Sequence, residues 1–305
     1  MADDERILVT GAAGQVGAVG RTLTGLLLDR GLRVRAMVRR EDERAAALRA
    51  AGAEVVVGDL LEPTEVLRVV RGCRRVYFSM SVSPTYLEAT VIIAAVARSV
   101  GVSALVNMSE MTVSQMSIEN TTASPQQRQH WLGEQVLAWS GLPVITIRPT
   151  VFLEGFFLPL TAASVRARSR IELPFGLGKT NPVASGETAQ VVAALLSDPG
   201  PHVGKVYELT GPESQDMQAV AGEYSEALNR EVTYVDISPL DWERQLGKFG
   251  LPPHLTRHLV TMAELNRAGR YDRMSDVVQR VTGKPPMTVG EFVSLHADEF
   301  GGRRA

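Results

Sequence analysis

Six short apolar runs recur through the first half of this sequence, with a helical pattern in every gap between them. The runs are RILVT (6–10), RVRAMVR (33–39), AEVVVGD (53–59), RVYFSM (75–80), ALVNMS (104–109) and PVITIRP (143–149). The helical patterns lie at about 20–30, 41–51, 63–71, 84–100 and 126–140. Strands this apolar on both faces cannot stand open to water on one side. Alternating with helices, they imply a parallel sheet covered on both faces, a doubly wound α/β fold.

Beyond residue 155 the alternation stops. A Pro/Gly-rich passage, ELPFGLGKTNP, leads to a helical pattern at 187–197 and a further strand-like run, KVYELTG (205–211). Mostly helical sequence follows, interrupted by VTYVDI at 232–237. The expected division is a nucleotide domain over residues 1–155, with 185–211 returning to it, and a smaller, mainly helical substrate lobe over 156–305. The second part holds too few strands to predict a sheet of its own.

With 305 residues, 45% of them hydrophobic, the chain can bury a large core without covalent staples. A net charge of -2, from 32 basic and 34 acidic residues and no long run of either, argues against nucleic acid as a direct partner. Cys73 stands alone, which excludes an internal disulfide framework and the usual cysteine zinc sites. His254 and His258 share a helix face in HLTRH, but the glutamate of a zinc-protease helix is missing, so no metal is expected. The longest apolar run, ATVIIAAVA (89–97), is far short of a membrane span, and the acidic start MADDER does not read as a signal peptide. The expectation is a cytoplasmic protein, monomeric or homodimeric, acting on a small molecule.

Directly after the first run comes VTGAAGQVGAVGR, with glycines at 11, 14, 17 and 20. A dinucleotide-binding turn uses three: one for the tight turn, one where backbone approaches the pyrophosphate, one where the helix packs on the strand. Counting from Gly20 places Leu23, Leu26, Leu27 and Leu28 on a buried stripe that ends at Gly31; counting from Gly17 gives no such stripe. Gly11 is therefore read as the turn glycine and Gly20 as the packing glycine. Gly14, Gln15, Val16 and Gly17 then share a phosphate loop three residues longer than the pattern needs, with the helix starting near residues 18–20.

VTGAAGQVG, VRR at 38–40, GDL at 58–60, HWLGEQVLAWSGLPVITIRPTVFLEGFF at 130–157 and TGKPPMTVGEFV at 282–293 together resemble the NmrA-like branch of the atypical short-chain dehydrogenase/reductases. The resemblance spans nearly the whole chain and implies a Rossmann domain that binds NAD(P). The longer glycine loop departs from most of that family. An acidic residue ending the second strand would hold a ribose 2′-hydroxyl, whereas arginine there pairs with a 2′-phosphate. This strand ends in Arg39 and Arg40, which points to NADP(H) before NAD(H). The resemblance and the open-sheet rule add Asp59 and Leu60 beside the adenine, Ser79 and Ser81 beneath the ribose and nicotinamide, and Pro149 and Thr150 near the carboxamide.

The tyrosine and lysine dyad of typical superfamily members is missing: no Tyr or Lys occurs between Tyr86 and Lys179. In its place stands His130 with Glu134 one helical turn later, a candidate proton donor and its partner, while the resemblance implies that Ser109, at the end of the fifth strand, polarises a substrate carbonyl. The same helix pair also reads as a surface contact. Met111, Phe152 and Phe156 would line a pocket for a flat apolar or aromatic substrate. Two functions stand open on these residues. One is an NADPH-dependent oxidoreductase passing hydride to a small apolar carbonyl, quinone or similar acceptor; the other is a non-catalytic NADP(H)-sensing regulator. A third use of the nicotinamide, as a structural group in an isomerase or lyase step, is weaker.

Overall fold

The computed structural model describes residues 6–14 and 18–302. Strands β1 (Arg6–Val9), β2 (Val34–Val38), β3 (Glu54–Val57), β4 (Cys73–Phe78), β5 (Ala104–Met108) and β6 (Val144–Pro149) correspond to the six apolar runs. Helices α1 (Val19–Asp29), α2 (Glu43–Ala50), α3 (Pro63–Val70), α4 (Tyr86–Val100) and α5 (Pro125–Trp139) fill the gaps. Then come α6 (Leu158–Arg168), β7 (Arg170–Leu173), α7 (Ser185–Ser197) and β8 (Val206–Leu209). The chain ends through α8 (Met217–Leu228), β9 (Thr233–Asp236), α9 (Pro239–Lys248), α10 (Pro253–Arg267), α11 (Val277–Thr282) and α12 (Val289–Leu295).

Seven strands form one sheet in the order β3-β2-β1-β4-β5-β6-β8, and neighbours from β3 to β6 run parallel. The order reverses between β1 and β4, where an open parallel sheet has its crevice. Leu8, Val76, Phe78 and Leu105 pack under Val66 and Val69 of α3, Ala89, Ile93 and Ala97 of α4 and Leu137 of α5. The intervening residues Ile7 and Val9 are equally buried, so β1 is covered on its other face too. The ends of α1 and α7 meet where Arg30 Nη1 donates to Ser197 Oγ (2.9 Å), and Arg75 of β4 donates to the Leu196 carbonyl of α7 (2.7 Å). Each fully buried aliphatic side chain contributes about 2 kcal/mol, which is why these strands tolerate almost no polar residue.

Two compact units emerge. The first holds residues 1–113, 126–148 and 186–207; the second holds 114–125, 149–185 and 208–305. The second unit does have a small sheet, contrary to expectation: β7 and β9 pair in parallel, Arg170 opposite Thr233 through Leu173 opposite Asp236. RIEL is too short to show alternation before it is placed, yet Ile171 and Leu173 point inward and are fully buried. They join a core built from Phe157, Val165, Phe175, Tyr224, Trp242, Phe292 and Phe300.

Candidate functional site

The carboxyl ends of β1 to β4 open into a groove of about 920 Å³. Its floor is fixed by one side chain: Thr10 Oγ1 donates to the Ser79 carbonyl (2.8 Å) and accepts from the Ser79 amide (2.9 Å), locking the ends of β1 and β4 together. Gly11 follows in the left-handed region (φ +65°), and a Cβ there would press on the Ser79 oxygen at 3.0 Å. The Gly14 amide closes the turn on the Gly11 carbonyl (3.0 Å). Helix α1 starts at Val19, and a Cβ on Gly20 would stand 2.7 Å from the Gly11 oxygen and 3.1 Å from Ala12 Cα. Gly20 is thus the residue that lets the helix sit against the turn, and Leu23 and Leu27 are fully buried below it. Gln15, Val16 and Gly17, expected in the phosphate loop, lie outside the described residues.

Of the expected cofactor residues, Gly11, Gly14, Arg39, Arg40, Asp59, Leu60, Ser79 and Ser81 all line this one groove. The side chains of Arg39 and Arg40 are 81% and 78% exposed, and Arg39 stands 3.8 Å from Asp59. Asp42, expected in the first turn of a helix, is instead the N-cap of α2, accepting from the amides of Arg44 (3.0 Å) and Ala45 (3.2 Å). The Arg44 guanidinium pairs with it at 2.5 Å and lowers its carboxyl to about 2. Arg44 also reaches across to donate to the Ala13 carbonyl (2.9 Å), bracing the glycine turn. Sequence reasoning missed Arg44. Its signal was spacing: an arginine two residues after a capping aspartate points back over the helix start. Glu41, the other acid here, pairs with Arg49 at 2.6 Å.

A second polar cluster lies at the end of β5. The Ser109 amide is fixed to the Ile147 carbonyl (2.8 Å), while its hydroxyl is buried and has no hydrogen-bond partner among the described residues. Gln126, near the start of α5, accepts from the Ser83 amide (3.0 Å), so α5 holds the loop that walls the groove. His130 Nε2 lies 3.1 Å from the Gln126 amide nitrogen, and its ring packs on Tyr86 with centroids 4.1 Å apart. Glu134, expected beside His130, is hydrogen-bonded to another residue. Both of its oxygens go to Arg148 of β6, at 3.0 and 2.5 Å, with the two side chains only 9% and 17% exposed. A guanidinium offers two charged donors in a planar fork, which a carboxylate accepts with both oxygens.

Between these groups sits Glu110, which sequence reasoning did not single out. Its carboxyl accepts from the Thr112 hydroxyl and faces Glu134. Removal from water, with the Glu134 charge adding to it, pushes the Glu110 carboxyl up to about 7. The overlooked signal was a lone acid in the apolar stretch NMSEMTV.

Met111, at the same strand end, is fully buried. The remaining expected residues belong to the second unit: Pro149, Thr150, Phe152 and Phe156. The Thr150 amide donates to the Leu209 carbonyl (2.9 Å), and its buried hydroxyl has no partner among the described residues. Phe152 bridges to Val183, and Phe156 is a core residue stacked on Phe175 with centroids 5.8 Å apart. Among the described residues no group of acids, histidines or cysteines is placed to hold a metal ion, and no helix is long and apolar enough to cross a membrane.

A sheet that reverses order at β1 and β4, a glycine turn feeding a helix, and a groove flanked by guanidinium groups define a Rossmann-type dinucleotide-binding protein. The side-chain-free cradle at Gly11 and Gly14 fits a pyrophosphate. The match to known proteins is specific: a family described as NAD(P)H-binding covers residues 11–199, and the chain belongs to that family, with the NmrA-like resemblance upheld. It is 28% identical over 297 residues to the NAD(P)H azoreductase of Xenophilus azovorans, covering 97% of this chain and 99% of that protein. Its fold is shared with the NADPH-dependent quinone oxidoreductase of Escherichia coli complexed with NADPH (TM-score 0.83, 24% identity, 95% and 99% of the two chains). It is also shared with the triphenylmethane reductase of Citrobacter complexed with NADP(H) (TM-score 0.82, 22% identity, 95% and 99%).

Proposed function

We propose that this chain is an NADPH-dependent oxidoreductase that reduces a flat, electron-poor small molecule such as a quinone or an azo compound. The observation that carries the choice of cofactor is the state of the charges after β2. Asp42 and Glu41, the two acids able to accept from a ribose 2′-hydroxyl, are both engaged, by Arg44 with the α2 amides and by Arg49. The Arg39 and Arg40 guanidinium groups stand exposed at the groove. An arriving 2′-phosphate meets two exposed guanidinium groups held only loosely, Arg39 by Asp59 at 3.8 Å and Arg40 by Asp42 at 3.6 Å, whereas a 2′-hydroxyl finds Glu41 and Asp42 already engaged.

Bound NADPH supplies the hydride, the step that carries the redox chemistry. The protein's own part is to grip and orient. Gly11 and Gly14 admit the pyrophosphate, Arg39 and Arg40 hold the 2′-phosphate, and Asp59 and Leu60 border the adenine. Ser109 offers a hydroxyl to the acceptor oxygen or nitrogen. The relatives' names, an azoreductase and a quinone oxidoreductase, support acceptors that take hydride readily.

The test has two parts. Arg39→Ala lowers NADPH affinity about 10- to 100-fold, the worth of one charged hydrogen-bonding contact, and changes NADH affinity little. Equal losses for both cofactors would defeat the assignment. NADPH oxidation is then followed against a panel of quinones and azo compounds; tight NADPH binding with no turnover of any acceptor would defeat the reductase reading.

A further inference from the structure

We infer that Glu110 is the proton donor that completes the reduction, in the place left by the missing tyrosine and lysine. The inference rests on the reductase reading above. A quinone or azo group that accepts hydride, with its two electrons, becomes an anion on oxygen or nitrogen. That anion must gain one proton to become the hydroquinone or hydrazine. The donor must stand at the carboxyl end of the strands, hold a proton near neutral pH and regain it from water.

Two carboxyls share the cluster at the end of β5, and their surroundings divide the roles. Glu134 is bound by both arms of the Arg148 guanidinium. Glu110 has no cation paired to it among the described residues; its neighbours are the Thr112 hydroxyl, the Gln127 side chain, Tyr86 and the negative Glu134. A carboxyl withdrawn from water beside one already held by a cation marks an acid and a spectator charge. Position agrees. Glu110 directly follows Ser109, whose hydroxyl, unpartnered among the described residues, is the group offered to the acceptor, and Ser109 is pinned by its amide to β6. Glu110 is half-buried as a residue while its carboxyl is withdrawn from water, so solvent returns the proton once the reduced acceptor has left. In each turnover the O–H bond of Glu110 breaks, an O–H or N–H bond forms on the reduced acceptor, and water returns the proton.

The chemistry supplies its own control. A cationic triphenylmethane dye becomes neutral on accepting hydride and needs no proton, whereas a quinone or azo compound does. Glu110→Gln should lower the quinone rate about 100-fold more than the dye rate, within the usual span for a lost general acid. The wild-type quinone rate should fall as pH rises through about 7, where the carboxyl loses its proton, and the variant's should not follow that step. Glu110→Asp should recover part of the ratio. A direct readout on the free protein is the infrared carbonyl band of a protonated carboxyl, titrating near pH 7 in the wild type and absent from Glu110→Gln. Equal losses for both acceptors, or a band that persists in the variant, would overturn the assignment. A wild type that binds NADPH but reduces neither acceptor would instead overturn the reductase reading. Thermal stabilisation of Glu110→Gln by NADPH confirms that the variant is folded.

Discussion

Two glycines on one helix make opposite predictions. Alanine is favoured over glycine inside a helix by about 1 kcal/mol, so propensity alone says that Gly20→Ala and Gly25→Ala in α1 both stabilise. The surroundings disagree at one of them. A Cβ on Gly25 meets nothing within 4 Å, and the gain should appear as about 0.5–1 kcal/mol. A Cβ on Gly20 meets the Gly11 oxygen at 2.7 Å, the Gly11 carbonyl carbon at 2.9 Å and Ala12 Cα at 3.1 Å. These are backbone atoms held by the Thr10 and Ser79 hydrogen bonds, so no side chain can swing aside. Overpacking costs roughly 1–3 kcal/mol, and a contact this short against backbone belongs at the upper end. Subtracting the propensity gain leaves Gly20→Ala less stable by about 2 kcal/mol. With a urea dependence of about 2 kcal/mol per molar, its midpoint falls by about 1 M while that of Gly25→Ala rises by a fraction of that. Because the atoms displaced belong to the phosphate turn, Gly20→Ala should also weaken NADPH binding at least tenfold, and Gly25→Ala should not. Urea melts and NADPH titrations on the two variants decide it. A Gly20→Ala midpoint at or above the wild type's, with full NADPH affinity, would refute the packing role of Gly20.

Two further tests follow from the polar groups. Glu134→Gln leaves the Arg148 guanidinium shielded from water without its anion, and should cost about 3 kcal/mol in urea unfolding; adding Arg148→Met should recover much of it. His258 is buried against the Ser124 hydroxyl at 3.0 Å, and removal from water, with His254 nearby, holds its imidazole at about 4, below the usual 6.5. The unfolded chain therefore takes up the proton first as pH falls. This contribution is whole above pH 6.5 and is lost progressively down to about pH 4, up to about 3 kcal/mol. Urea midpoints measured at pH 7, 5.5 and 4.5 should converge between wild type and His258→Gln.

What the sequence makes legible here is whatever a single periodicity enforces. The strands β1 to β6 must be apolar on both faces, so they show as runs, and the leucines of α1 number the glycines before it because only one register buries them. β7 escaped because four residues, two of them charged, carry no period of their own; Ile171 and Leu173 find their inward faces only once β9 lies beside them. The site divides along the same line. A residue fixed by backbone needs, such as Gly11 or Gly20, can be placed from spacing. A residue defined by its partner cannot, because several candidates compete for one group and the winner is settled in three dimensions. Glu134 had His130 one turn away and went to an arginine 14 residues further along, on another strand. Asp42 stood beside two exposed arginines and is held most closely by a third, Arg44. Glu110 shows the consequence. Its chemistry follows from which cation its neighbour has already taken: with Arg148 committed to Glu134, the acid beside Ser109 is left to keep its proton, and a proton held there is what a reductase without its tyrosine needs.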